Sequence, residues 1–122
     1  MGKENLTPTI AVDFDGTLCK ERWPDIGDAN WPLIKFLIKW RQHGKKVILW
    51  TCRENEMLAA AVEWCGKNGL FFDAVNCNLP ERIEAYNNDS RKIGADYYID
   101  DSSTLIIEHG HMITPRRKEM WL

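Results

Sequence analysis

IAVDFDGTLC, residues 10–19, begins as an apolar run and ends in two aspartates, a glycine and a threonine. The apolar part, TIAV (9–12), reads as a short buried strand. Asp13 and Asp15 follow at i and i+2. On extended backbone that spacing puts both carboxylates on one side, with Cα atoms about 6–7 Å apart. Gly16 lets the chain turn sharply away after them. Two like charges at the end of a buried strand are not required by packing, so the segments downstream have to account for them.

CKERWPDIGDAN (19–30) is polar, carries Pro24 and Gly27, and predicts a loop or small flap. NWPLIKFLIKWRQHG (30–44) predicts a helix with Asn30 as N-cap, Pro32 in the first turn and Gly44 at its end. Leu33, Ile34, Leu37, Ile38 and Arg41 share one face of it. KVILW (46–50) is a continuous apolar run, the pattern of a strand covered on both faces. ENEMLAAAVEWCGKNG (54–69) predicts a second helix, with Met57, Leu58, Ala61, Val62 and Cys65 as its apolar stripe and Gly69 as its stop. FDAVN (72–76) reads as a third strand, PERIEAYNN (80–88) as a short helix and DYYI (96–99) as a fourth strand. LIIEHGHMIT (105–114) predicts a small C-terminal hairpin turning at His109-Gly110, with His109 and His111 at its tip rather than on a metal. Strands alternating with helices predict one α/β domain over residues 1–122, a Rossmann-like parallel sheet sandwiched by helices.

Bulk composition narrows the class. A chain of 122 residues fits one domain, and 44% hydrophobic with 28% charged residues is ordinary for a globular protein. The net charge of -2, with acids and bases mixed, gives no basic strip for nucleic acid. No apolar run approaches the ~20 residues that cross a bilayer. The polar start MGKENLTPT does not read as a signal peptide, so a cytoplasmic location is expected. Cys19, Cys52, Cys65 and Cys77 contain no CxxC pair, so reduced thiols are expected rather than a zinc site. Six tryptophans serve either core packing or a subunit interface or pocket mouth.

In a parallel sheet, ligands bind beyond the carboxyl ends of the strands. There the sequence puts Asp13 and Asp15, then Thr51, Cys52 and Arg53, then Asn76 and Asn78, then Asp100 and Asp101, with Arg91 and Lys92 ahead of the last strand. Carboxylates so crowded would repel unless a cation sat among them. Oxygen donors in an open site suit magnesium, which keeps waters and takes substrate phosphate. The hydroxyl and the cationic side chains complete walls suited to a phosphoryl group.

DFDGT after an apolar strand, a threonine ending KVILWT, a lysine ahead of ADYYIDD and the acidic pair closing that stretch together resemble the haloacid dehalogenase superfamily of phosphohydrolases. The resemblance covers roughly residues 8–104. It implies that Asp13 is the nucleophile that becomes an aspartyl-phosphate and Asp15 the general acid and base. Thr51 resembles the phosphate-binding hydroxyl, and Cys52, Arg53 and Phe14 are the neighbouring substrate- and phosphate-binding candidates, with a surface ion pair as the other reading of Arg53. Lys92 resembles the charge-neutralising lysine, with Arg91 as the alternative cation. Asp13, the backbone carbonyl of Asp15, Asp100 and Asp101 resemble the magnesium ligands, and either Asp100 or Asp101 is the direct one. About a dozen residues separate the DxDGT loop from the first helix, and one helix and one strand fill 53–76. Neither gap holds a cap domain, so the chain resembles a capless member.

The leading expectation is a magnesium-dependent phosphatase of a small phosphorylated metabolite, with a homo-oligomer, dimer or tetramer, covering the capless site. Trp23 in the flap is placed either to stack on substrate or to pack. Capless relatives also include enzymes acting on macromolecular phosphates, so a nucleic-acid end or a phosphoprotein is the second reading, and the absent basic strip disfavours the first of these. A receiver domain uses similar residue types but places its acidic pair on the first strand, whereas here the DxD comes first. The last reading is a silent, oligomer-forming relative.

Overall fold

The computed structural model describes residues 6–86 and 93–100, and the backbone of 106–108 and 111–113. From β1 (Thr9–Val12) the chain enters an antiparallel pair, β2 (Cys19–Arg22) and β3 (Asp25–Ala29), and then α1 (Trp31–Gln42). β4 (Lys46–Leu49), α2 (Asn55–Lys67), β5 (Ala74–Val75), α3 (Pro80–Tyr86) and β6 (Tyr97–Ile99) follow. β7 (Ile106–Glu108) pairs antiparallel with β8 (His111–Ile113), and residues 109–110 lie outside the described residues. The main sheet has four strands in the order β5-β4-β1-β6, every pair parallel. This is the α/β architecture expected from the sequence, a parallel sheet flanked by helices and compatible with a Rossmann-like fold.

β1 is wholly buried because it is interior to the sheet and covered on both faces. Ile10 and Val12 point one way, into a core with Val47, Leu49 and Ile99. Leu33, Ile34, Leu37 and Trp40 of α1 and Ala61 and Cys65 of α2 fill it. Ala11 and Ile48 point the other way and meet Leu79 and Ile93. α1 and α2 share a face because both crossovers step in the same direction across the sheet, β1 to β4 to β5. The return to β6, on the far side of β1, carries its chain over the opposite face.

Trp40 lies outside the expected stripe of α1 yet is buried. Its Nε1–H donates to the carbonyl of Lys46 at 2.8 Å, so the indole buries its body without stranding its polar tip. Met57, expected in the stripe of α2, is exposed, and the buried residues of that helix are Ala61 and Cys65. Asn30 occupies the N-cap position but makes no capping bond; its Nδ2 donates instead to the carbonyl of Thr17 at 3.0 Å, tying the start of α1 to the loop after β1.

Arg41, the one charged member of the α1 stripe, explains its place by pairing with Asp73, just ahead of β5. Its Nε and Nη2 donate to Oδ2 and Oδ1 of Asp73 at 3.1 and 2.9 Å, and the Val47 N–H donates to Oδ2 at 2.8 Å. At the amino ends of β1 and β6, Arg82 Nη2 donates to Asp96 Oδ2 at 2.8 Å and to the carbonyl of Thr7 at 3.1 Å. These clamps hold the sheet from the edge opposite the DxDGT loop. Among the described residues, no helix is long and apolar enough to cross a membrane.

Candidate active site

Asp13 is the first residue past β1. Its N–H donates to the carbonyl of Ile99 at 2.8 Å, so β1 and β6 stay paired one residue beyond their formal ends. That register sets Asp13 beside Asp100, at the place where the strand order switches from the β4 side of β1 to the β6 side. Such a switch point is where an open α/β sheet receives ligands. Both carboxylate residues are half-buried, and Asp13 Oδ1 accepts the N–H of Phe14 at 2.7 Å.

The turn after Asp13 is fixed from below. The Phe14 ring is fully buried and meets Trp64 edge-on, with centroids 5.6 Å apart. Its carbonyl accepts the N–H groups of Thr17 and Leu18 at 3.1 and 2.9 Å. Gly16 takes a φ of 80°, which a side chain would disfavour. Phe14 therefore anchors the loop in the core, while the residues on either side of it stay at the rim.

Asp15 accepts a two-bond fork from Arg53, whose Nε donates to Oδ2 at 2.8 Å and whose Nη2 donates to Oδ1 at 2.7 Å. The ion pair is not at the surface, since the Arg53 side chain is only 1% exposed. The carboxylate of Asp15 holds the guanidinium more firmly protonated than usual, chiefly through this fork and against the cost of burial. Arg53 also reaches the flap, donating through Nη1 to the carbonyl of Pro24 at 3.3 Å and through Nη2 to that of Asp25 at 2.9 Å. Its Cζ lies 4.9 Å from the ring centroids of both Phe14 and Trp23.

Thr51 stands two residues past β4. Its N–H donates to Asn76 Oδ1 at 2.8 Å, which joins the loops after β4 and β5. Its Oγ1 accepts the N–H of Arg53 at 3.2 Å, leaving the hydroxyl proton to point elsewhere. Cys52 is exposed beside it. Asn78 turns away from the rim and accepts the Gly94 N–H through Oδ1 at 2.6 Å. Cys19 and Cys65 are buried, and burial pushes their thiols up to about 11 and about 12, so both stay protonated at neutral pH.

The structure therefore brings Asp13, Asp15, Arg53, Thr51 and Asp100 to one end of the sheet, and puts the Phe14 ring beneath them. Lys92, Arg91 and Asp101 lie outside the described residues. Among the described residues, no group of three or more His, Cys, Asp and Glu side chains is assembled to hold a metal ion. The oxygen donors at this rim are the carboxylates of Asp13, Asp15 and Asp100 and the backbone carbonyls. A donor set of carboxylates and carbonyls suits a hard cation such as magnesium better than zinc or copper, which favour nitrogen and sulfur ligands. What sequence reasoning missed is the burial of Arg53 and its fork to Asp15. The available signal was a cation two residues after Thr51, on a rim rich in acids.

No family model matches the sequence, and no curated protein matches it. Among solved structures, a conserved protein from Bacteroides thetaiotaomicron is 42% identical, with 80% of this chain and 78% of that one covered and a TM-score of 0.70.

Proposed function

We propose that this chain, which belongs to the same family as the conserved Bacteroides thetaiotaomicron protein, is a magnesium-dependent phosphohydrolase of the haloacid dehalogenase type. Its substrate on this reading is a phosphomonoester of a small metabolite. The observation that carries the proposal is the placement of Asp13 and Asp15 at the carboxyl end of an interior parallel strand, beside Asp100 at the switch point and with Thr51 after the neighbouring strand.

In the first step the Asp13 carboxylate attacks phosphorus and the bond to the leaving oxygen breaks, while Asp15 gives that oxygen its proton. In the second, Asp15 takes a proton from water, the water oxygen attacks phosphorus, and the bond to Asp13 breaks. Inorganic phosphate leaves and both carboxyl groups return to their starting states. The Thr51 hydroxyl binds a phosphoryl oxygen, and Lys92 or Arg91 neutralises charge between the phosphoryl group and Asp13. Asp13, the carbonyl of Asp15, and Asp100 or Asp101 would hold the magnesium ion, which supplies the charge screening that lets a carboxylate approach a phosphate.

The passage from β1 to α1 contains only the β2–β3 flap, and a short loop joins β4 to α2, which supports a capless enzyme. Trp23, Trp31 and Trp50 are 55%, 42% and 40% exposed around the strand ends, which supports a homo-oligomer that roofs the site. Incubation with a panel of phosphate esters and magnesium should release inorganic phosphate, and Asp13→Asn should abolish the release. A wild-type protein that turns over no ester on the panel would refute the proposal. A phosphorylated Asp13 that persists for hours rather than seconds would favour a receiver-like phosphoacceptor instead.

A further inference from the structure

Arg53 joins its own loop after β4 to two segments far away in sequence, the DxDGT turn and the flap. Its side chain forks onto Asp15, its backbone N–H bonds the Thr51 hydroxyl, and its guanidinium holds two flap carbonyls. Phe14 from the core and Trp23 from the flap both lie against that guanidinium. A surface cation awaiting phosphate would keep donors turned to solvent; this one spends Nε, Nη1 and Nη2 inside the protein and is 1% exposed.

Resting on the phosphohydrolase reading, we propose that Arg53 is a positioning residue that aims Asp15 for proton transfer and couples that aim to the flap. A carboxylate has about four lone-pair sites, and a fork occupies two of them. Two parallel bonds also stop the carboxylate plane from rotating, which one bond does not. The lone pairs left over then face a fixed direction. On one of these Asp15 carries the proton that passes to the leaving oxygen as its bond to phosphorus breaks. The same lone pair then accepts the proton of the attacking water. Arg53 neither gains nor loses a proton in either step. The flap completes the device: the carbonyls of Pro24 and Asp25 and the ring of Trp23 hold the guanidinium in place, so lifting the flap loosens Arg53 and with it the direction of the fork. Esters small enough to bind with the flap down are therefore the ones for which proton transfer is aimed.

Leaving-group dependence tests this directly. 4-Nitrophenyl phosphate expels a phenolate that needs no proton, whereas glycerol phosphate expels an alkoxide that does. Wild type, Arg53→Lys, Asp15→Asn, the double variant and Trp23→Ala are compared by kcat/KM on both esters with magnesium, each after its cooperative melting has been checked. Arg53→Lys should lose at least about tenfold more on the alkyl ester than on the aryl ester, because general acid catalysis is worth about 10²–10⁴. Asp15→Asn should show the same selective loss, and the double variant should lose no more than Asp15→Asn alone. Trp23→Ala should show a smaller drop in the same ratio, and it decides the matter if Arg53→Lys does not fold. Equal losses on the two esters, or additive losses in the double variant, overturn the positioning role while leaving the phosphohydrolase reading intact. Where wild type turns over neither of these two, the aryl and alkyl esters that it does turn over on the panel replace them, and absence of turnover on the whole panel overturns that reading, and this inference with it.

Discussion

Replacing Asp73 by alanine probes how much stability rests on one carboxylate at the foot of β5. Asp73 accepts two bonds from Arg41 and one from the Val47 N–H, and Lys46 Nζ stands 3.9 Å away. Arg41 is 32% exposed, so solvent screens its fork, which counts for about 1 kcal/mol. Val47 is fully buried, and leaving its N–H without an acceptor costs about 1–2 kcal/mol. The substitution should therefore destabilise by about 2–3 kcal/mol, or roughly 10 °C in Tm for a chain of this size. The loss should also depend on pH. Burial pushes the Asp73 carboxyl up, but the bonds from Arg41 and Val47 and the charges of Arg41 and Lys46 outweigh it and hold it below its usual range. A depressed carboxyl stabilises the fold above the unfolded-state value, about 3.9, and that contribution disappears as pH falls through the folded value. Urea melts of wild type and Asp73→Ala should differ most at pH 7, and the gap should narrow as pH falls below about 4. A gap under about 0.5 kcal/mol at pH 7 would refute the reasoning, as would a gap that widens on acidification.

Other perturbations test other parts of the molecule. A Cβ on Gly27 would clash with the carbonyl oxygen of Lys20, so Gly27→Ala should open the β2–β3 pairing at about 1–3 kcal/mol. Thermal melting measures that cost, and a variant with wild-type Tm and activity would contradict it. Leu37→Ala empties a fully buried position between α1 and the sheet and should cost about 2–5 kcal/mol in urea unfolding; a cost under about 1 kcal/mol would mean the core collapses around it. Chelation with EDTA should abolish ester hydrolysis and added magnesium restore it, so turnover that survives exhaustive chelation would remove the proposed metal.

The sheet was legible because its strands are short apolar runs between helices of clear amphipathic period. Ile10, Val47 and Leu49 needed no long-range information to be placed in a core. Arg41 on an apolar face was also a usable signal, since a cation there requires a buried partner, though nothing local named Asp73. Trp40 escaped because a helical stripe ranks an indole by position and ignores that its N–H can be satisfied by a nearby carbonyl. At the site, Asp13, Asp15, Thr51 and Asp100 reached the expected end of the sheet because position after a parallel strand determines it. Arg53 was not legible. Its burial depends on Phe14, Trp23 and Asp15 closing around it from two other segments, and a surface ion pair was as good a reading of its neighbours in sequence.

Asp13 and Asp15 are two residues apart but belong to different mechanical parts. Asp13 is bonded through its N–H to β6 and behaves as an extension of the sheet. Asp15 rides on a turn anchored by Phe14, but the plane of its carboxylate is settled by a guanidinium shared with the flap. On the proposed chemistry, the attacking atom is fixed by the scaffold and the proton carrier is adjustable. Changes in residues 19–30 can then retune which leaving groups are served without disturbing the nucleophile. The flap is accordingly the segment in which members of this family are expected to diverge in substrate while keeping one reaction.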